Sequence, residues 1–272
     1  MQNKNLKPVF TLEKGTLPLL ISIPHVGTAI TAEVLNTMTP VAKRLDDTDW
    51  HLDRLYDFYK ALDASILMAQ YSRYVIDLNR APDGINLYPG QNTTALCPTD
   101  TFNEEPLYLV DCAPNAAAIE NRRLNYWQPY HEALAKELKR LKSEHGYVLL
   151  WEAHSIRSQV PRFFAGRLPD FSFGTHNNKS AMPGLVETLL QQLDAHQDYH
   201  AVANQRFKGG YITRNYGDPK NGIHAIQLEL AQITYMEEQP PYRYDETKAN
   251  KVKKVIQEVI ETALDVLQNN HF

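Results

Sequence analysis

The chain has 272 residues, 43% hydrophobic and 22% charged, which are the proportions of a globular protein and exclude a disordered one. A formal net charge of -4 with scattered Lys and Arg excludes a basic face for nucleic acid. The opening MQNKNLKPVFTLEKG has no apolar leader, and no run reaches the ~18 apolar residues of a membrane helix. Cys97 and Cys112 form no CxxC pair, so the expectation is a cytoplasmic protein in a reducing compartment, not bound to membrane or nucleic acid.

In chain order, Leu17 to Ile23 (LPLLISI) reads as a buried strand stopped by Pro24, with His25 just beyond it. Asp49 to Leu62 spaces Trp50, Leu52, Leu55, Phe58, Tyr59 and Leu62 at three and four, predicting one amphipathic helix. Ser65–Met68 and Tyr74–Leu78 read as strands. From Ala81 to Pro114 the sequence is dense in Pro, Gly, Asn, Thr and Asp and predicts a long functional loop. Ala116 to His145 is helical, with Pro129 as a kink or break and Gly146 as its stop. Tyr147–Glu152 (YVLLWE) is a further buried strand, and Ser155–Pro183 a second loop-rich stretch. A helix begins near Gly184, Gly222–Leu230 (GIHAIQLEL) is a late strand, and Asp245–Gln268 is a closing helix. Neither a repeat nor a linker divides the sequence. The alternation predicts one α/β domain over 1–272, a mixed sheet flanked by helices with binding residues in loops beyond strand ends.

Potential ligands cluster in three segments: Pro24-His25-Val26-Gly27, Asp46-Asp47-Thr48-Asp49-Trp50-His51 and Trp151-Glu152-Ala153-His154-Ser155. Two histidines and a carboxylate suit zinc, whose catalytic sites use three protein ligands and keep a position for water with a pKa lowered towards neutrality. Glu229, acidic within an apolar late strand, is the candidate base that takes a proton from water and returns it to the departing nitrogen. The residue could equally pair with a buried Arg. Arg80, after Asp77-Leu78-Asn79, offers a planar fork for a carboxylate, with Asn79 adding a hydrogen bond; a salt bridge to Asp77 is the simpler structural alternative. In Lys208-Gly209-Gly210-Tyr211-Ile212-Thr213-Arg214 the glycines either let backbone approach an anionic ligand or make a tight turn.

With these residues in view, the chain resembles the N-formylglutamate amidohydrolases of histidine breakdown. The resemblance runs through Ser22-Ile23-Pro24-His25-Val26-Gly27-Thr28, Asp47-Thr48-Asp49-Trp50-His51, Tyr71-Ser72-Arg73-Tyr74-Val75-Ile76-Asp77-Leu78-Asn79-Arg80, Trp127-Gln128-Pro129-Tyr130-His131 and Lys208 to Arg214. It implies a zinc carboxypeptidase-like fold, also shared with aspartoacylases, with His25, Asp49 and His154 as ligands and Asn79 and Arg80 on a substrate carboxylate. Thr28 stands three after His25, where carboxypeptidases place an acidic ligand, so Asp49 has to supply it from another segment; Asp46 and Asp47 are its competitors. Relatives often carry Asp two places before the second histidine, where this chain has Glu152, which can still orient the ring.

The implied reaction is metal-dependent hydrolysis of N-formyl-L-glutamate to formate and L-glutamate, with Glu229 as proton shuttle and Arg214 on the second carboxylate or the oxyanion. Zn2+ is the expected cofactor, and other divalent transition metals share its nitrogen and oxygen ligands. The alternatives are an amidohydrolase for another N-acyl amino acid or a peptide terminus, and a non-catalytic protein that binds acidic ligands.

Overall fold

The computed structural model describes residues 7–85, 90 and 92–271. Among them, seven strands form one mixed sheet: β1 (Phe10–Glu13), β2 (Leu19–Ile23), β3 (Ser65–Ala69), β4 (Val148–Ile156), β5 (Phe171–Gly174), β6 (Ala201–Ala203) and β7 (Ile223–Ala231). Their spatial order is β1-β3-β2-β4-β7-β5-β6. The central β3, β2, β4 and β7 run parallel, while β1 joins β3 and β5 joins β7 antiparallel. A parallel centre covered on both faces explains why LLISI, apolar but for the buried Ser22, and VLLW are nearly continuous apolar runs.

The helices are α1 (Ala32–Leu35), α2 (Leu52–Leu55), α3 (Tyr59–Leu62), α4 (Ala116–Arg122), α5 (Gln128–His145), α6 (Leu185–Asp194), α7 (Tyr211–Tyr216) and α8 (Glu246–His271). On one face of the sheet, Ile21, Leu149, Trp151, Ile226 and Leu228 pack with Leu189 of α6 and Ile256 and Val259 of α8. On the other, Leu20, Leu67, Leu150 and Ala225 pack with Tyr130, Leu134 and Leu138 of α5. Side chains alternate along a strand. The α5-facing positions of β4 therefore continue as Glu152 and His154, and those of β7 as Gln227 and Glu229, all buried. Glu152 sits beside Gln227 across the ladder, and His154 beside Glu229.

Several expectations are corrected. Tyr74–Leu78 is not a strand but a chain of turns, whose apolar side chains fill two core clusters without joining the ladder. The helix expected over Asp49–Leu62 is two short ones: Asp49 and Trp50 remain outside helical geometry, His51 takes a left-handed φ of 61°, and Tyr56, at φ -92° and ψ 17°, ends the first before the second begins at Tyr59. Strand β4 runs past Glu152 to Ile156, so His154 lies within a strand, as does Glu229, and not in a loop beyond one. The Ser155–Pro183 stretch contains β5, and the Gly209-Gly210 motif leads into α7. Pro129 does not break its helix: a π turn over Arg123–Trp127 joins α4 to α5. No helix among the described residues is long and apolar enough to cross a membrane.

Candidate active site

Pro24 ends β2 and turns the chain so that His25 leaves the sheet beside β4. The Asp49 N–H donates to the His25 carbonyl at 3.1 Å, which ties the acidic segment to that turn. His25 Nδ1 lies 3.7 Å and His154 Nδ1 3.0 Å from Asp49 Oδ2. One ligand atom from each of the three falls within 4.8 Å of the others, and all three residues are buried. The neighbouring acids are used elsewhere. Asp46 accepts from Arg44 Nε at 2.9 Å and from the Tyr242 hydroxyl, and Asp47 Oδ2 accepts from the Tyr74 hydroxyl at 2.8 Å and the Phe102 N–H at 2.9 Å.

The donor set fits a divalent transition metal. His25 Nε2 donates to Asp77 Oδ1 at 2.7 Å, and His154 Nε2 donates to Glu152 Oε1 at 2.7 Å. Each carboxylate fixes a proton on Nε2 and turns Nδ1 towards Asp49, the outer arrangement of histidines that ligate metals. His25 Nδ1 is buried and has no hydrogen-bond partner in the protein. Burial and the Arg73 charge hold the His25 pKa below its ordinary value, against Asp77 and Asp49, so this ring is neutral and its lone pair available. His154 differs. Burial opposes its charge, yet Glu152 and Asp49 outweigh burial and raise the pKa to about 10, so its Nδ1 proton is the one a cation would displace.

Around this cluster lies a cleft open to solvent, lined in part by His25, Arg73, Asn79, Arg80, His154 and Glu229. Burial pushes the Glu229 carboxyl up to about 8, with Asp49 adding to the shift and His154 and Arg73 opposing it. Gln227 Nε2 donates to Glu229 Oε2 at 3.4 Å. Arg73 is clamped by Asp77 Oδ2 at 2.7 Å, stands 3.7 Å from Asp49 and lies over the Phe102 ring at 4.9 Å.

Asn79 and Arg80 line the cleft. Asn79 Oδ1 accepts from the Ile212 N–H at 2.9 Å, and its Nδ2 lies 3.0 Å from His154 Nε2. Arg80 donates to the Thr94 carbonyl at 3.0 Å and hydroxyl at 2.9 Å, with Asp77 only at 3.8 Å. Gly210 lines the cleft, but its N–H donates to Gln227 Oε1 at 2.7 Å, and any side chain there would strike the Asn79 amide. Gly209 takes a φ of 96°, and a side chain there would strike Thr213. Arg214 is not among the described residues lining the cleft; its Nε donates to the Gly209 carbonyl at 2.8 Å.

Sequence reasoning missed Arg73, Gln227, Arg206 and Phe102, all of which line the cleft. Two carried a signal. Arg73 precedes Asp77 by one helical turn in an apolar run, and Gln227 precedes Glu229 by one pleat on the same strand face. Arg206, held over Phe163 and Phe207 at 5.6 and 5.3 Å and donating to the Phe163 carbonyl at 2.7 Å, carried none.

A sequence profile described as N-formylglutamate amidohydrolase matches residues 17–236. An N-formylglutamate deformylase of Pseudomonas aeruginosa is 49% identical over 256 residues, covering 94% of this chain and 96% of its own length. One from Pseudomonas putida is 47% identical with the same coverage. In structure, the chain is similar to an N-formylglutamate amidohydrolase from Ralstonia eutropha, with a TM-score of 0.79 at 24% identity over 96% of this chain and 97% of that one.

Proposed function

Because the chain belongs to the N-formylglutamate amidohydrolase family, we propose that it hydrolyses N-formyl-L-glutamate to formate and L-glutamate, with His25, Asp49 and His154 holding a zinc or similar divalent ion. The observation that carries this reading is the convergence of two oriented Nδ1 atoms and one carboxylate beside a buried Glu229 in a cleft with three arginines. A bound divalent ion supplies Lewis-acid activation of water and of the formyl oxygen.

The protein does the rest. Glu229 accepts the proton of the attacking water as the new C–O bond forms, then returns it to the amide nitrogen as the C–N bond breaks. Its pKa, raised to about 8 by burial, falls wherever a positive charge sits nearby, which brings it to the range where one carboxyl can take and return a proton. The buried Arg73 guanidinium, fixed by Asp77 and next to Asp49, is assigned to the oxygen that gains charge in the tetrahedral state. Arg80 is assigned to one substrate carboxylate and Arg206, which also lines the cleft, to the other. On this reading Arg214 supports the Gly209 turn and does not touch substrate.

Formate release from N-formyl-L-glutamate, measured with the metal content of the same preparation, tests the reading. The expected result is turnover that chelation abolishes and Zn2+ restores, with N-acetylglutamate and a formylated dipeptide far poorer substrates. A preferred acetyl or peptide substrate would reassign the acyl group, and turnover indifferent to chelation would reject the metal site.

A further inference from the structure

The segment Trp127-Gln128-Pro129-Tyr130-His131 lies outside the reacting groups, yet it meets the back of the Asn79–Arg80 turn. Pro129 has no N–H for an ordinary α turn. The chain widens instead into the π turn, where the Gln128 N–H bonds to the Arg123 carbonyl. Such widened turns occur often at functional sites. Trp127 and His131, one helical turn apart, share a face and stack with ring centroids 3.7 Å apart. Trp127 Nε1 donates to the Arg80 carbonyl at 3.0 Å and His131 Nε2 to the Leu78 carbonyl at 2.8 Å, so the two bonds bracket Asn79. The remaining carbonyl of the turn, that of Asn79, accepts from the Tyr211 N–H at 3.4 Å, at the start of α7.

We propose that Trp127 and His131 are positioning residues that set the direction of the Arg80 fork by fixing the backbone carbonyls on either side of Asn79; this rests on the assignment of Arg80 to a substrate carboxylate. The donor pattern is locked. A carbonyl only accepts, so His131 Nε2 carries the proton, and the Tyr216 hydroxyl, 2.9 Å from the unprotonated Nδ1 and 3.2 Å from the His131 carbonyl, shares its one proton between these two acceptors. Burial pushes the His131 pKa down to about 4, so a single neutral form persists across the neutral range.

Trp127→Phe and His131→Phe keep the aromatic stack and remove one donor each. Each should raise KM for N-formylglutamate roughly 5- to 20-fold, the scale of one lost hydrogen bond, while metal content and kcat stay close to wild type. His131→Gln, which can still donate, should recover part of the loss. In an Arg80→Ala background neither substitution should raise KM further, because the group they orient is gone. If the phenylalanine variants fold poorly, Tyr216→Phe removes only the hydroxyl that orients His131 and should give a smaller KM rise in the same direction. An unchanged KM in these variants while Arg80→Ala raises it would overturn the positioning role alone. Additive KM effects in the Arg80→Ala background would overturn it too. An unchanged KM in Arg80→Ala would overturn the carboxylate assignment, and the positioning role with it.

Discussion

Along the sheet face that meets α5, Leu150 and Ala225 pack with Leu134 and Leu138, whereas one pleat further on the same strands Glu152 and Gln227 begin a run of buried polar groups. The ladder is continuous through both halves and the side-chain alternation never slips. What changes is the partner. The apolar half is covered by a helix and gains from excluding water; the polar half is tolerated because its groups bond to one another and to α7. The Thr213 N–H donates to Glu152 Oε2 at 3.0 Å and the Gly210 N–H to Gln227 Oε1 at 2.7 Å. His25 Nδ1 is left over beside this network. One rigid sheet thus carries stability at one end and holds chemical groups at the other.

The comparison breaks most severely at the ligands. His154→Ala or His25→Ala should lose bound metal and activity together, the latter by on the order of 10³-fold or more, since affinity and water activation both depend on three ligands. Metal analysis beside formate release checks this, and full occupancy with full turnover in either variant would reject the coordination. Asp49→Asn should weaken metal binding more than Asp46→Asn or Asp47→Asn. Next comes Glu229→Gln, which keeps shape but removes the proton acceptor. Its kcat should fall roughly 10²–10⁴-fold with metal and fold retained.

In the apolar half the pattern should invert. Leu138→Ala, at a buried position of α5, should cost about 2–5 kcal/mol of stability and leave kcat per folded molecule unchanged, as read by denaturant titration and active-site-normalised rates. A loss of kcat at full folding would show that the halves are mechanically coupled. Smaller again, Glu152→Gln weakens the hold on His154 Nε2 and should lower metal affinity about 10- to 100-fold, measurable by chelator competition.

The apolar half was the legible one. LPLLISI, YVLLWE and the α8 spacing announce burial directly, and they place β2, the start of β4 and α8 close to where they lie. The polar half interrupts the same strands with Glu, His and Gln, so the apolar signal stops before the strand does, and β4 extends beyond where hydrophobicity ends. Tyr74–Leu78 shows the reverse error: its apolar side chains are buried by core clusters on either side of a turn, and the Asp77 N–H bonds to the Leu96 carbonyl outside any ladder. His25, Asp49 and His154, which the fold brings together, were singled out because two histidines and a carboxylate suit a metal and the family resemblance selected Asp49 over Asp46 and Asp47. Arg73 and Arg206 were not. Arg73 meets Asp77 only four residues on, but the Phe102 ring beneath it and the Phe163 ring that faces Arg206 come from distant segments that a sequence does not pair.

The smallest expected effect separates the halves by pH. In unfolded chain the Glu229 carboxyl takes its ordinary value near 4.5, while burial in the fold raises it to about 8. The folded protein therefore binds this proton more tightly than the unfolded chain does. Its contribution to stability is complete below about 4.5 and is lost as pH rises towards 8, because ionisation then puts a charge in a buried site. Glu229→Gln has nothing to ionise. In protein freed of metal by chelation, the melting temperature of Glu229→Gln should rise relative to wild type as pH increases from 5 to 8, by roughly a few degrees for a protein of this size. His154, with its pKa raised from 6.5 to about 10, loses stabilisation mostly at higher pH in both proteins, and because it faces Glu229 the difference between them reads the glutamate together with its interaction with His154. Leu138→Ala should lower the melting temperature by an amount that does not vary with pH, since it changes no proton. If the Glu229→Gln difference were equally flat, Glu229 would be ionised at neutral pH in the metal-free fold, and the buried, protonated carboxyl assigned to the polar half would be wrong.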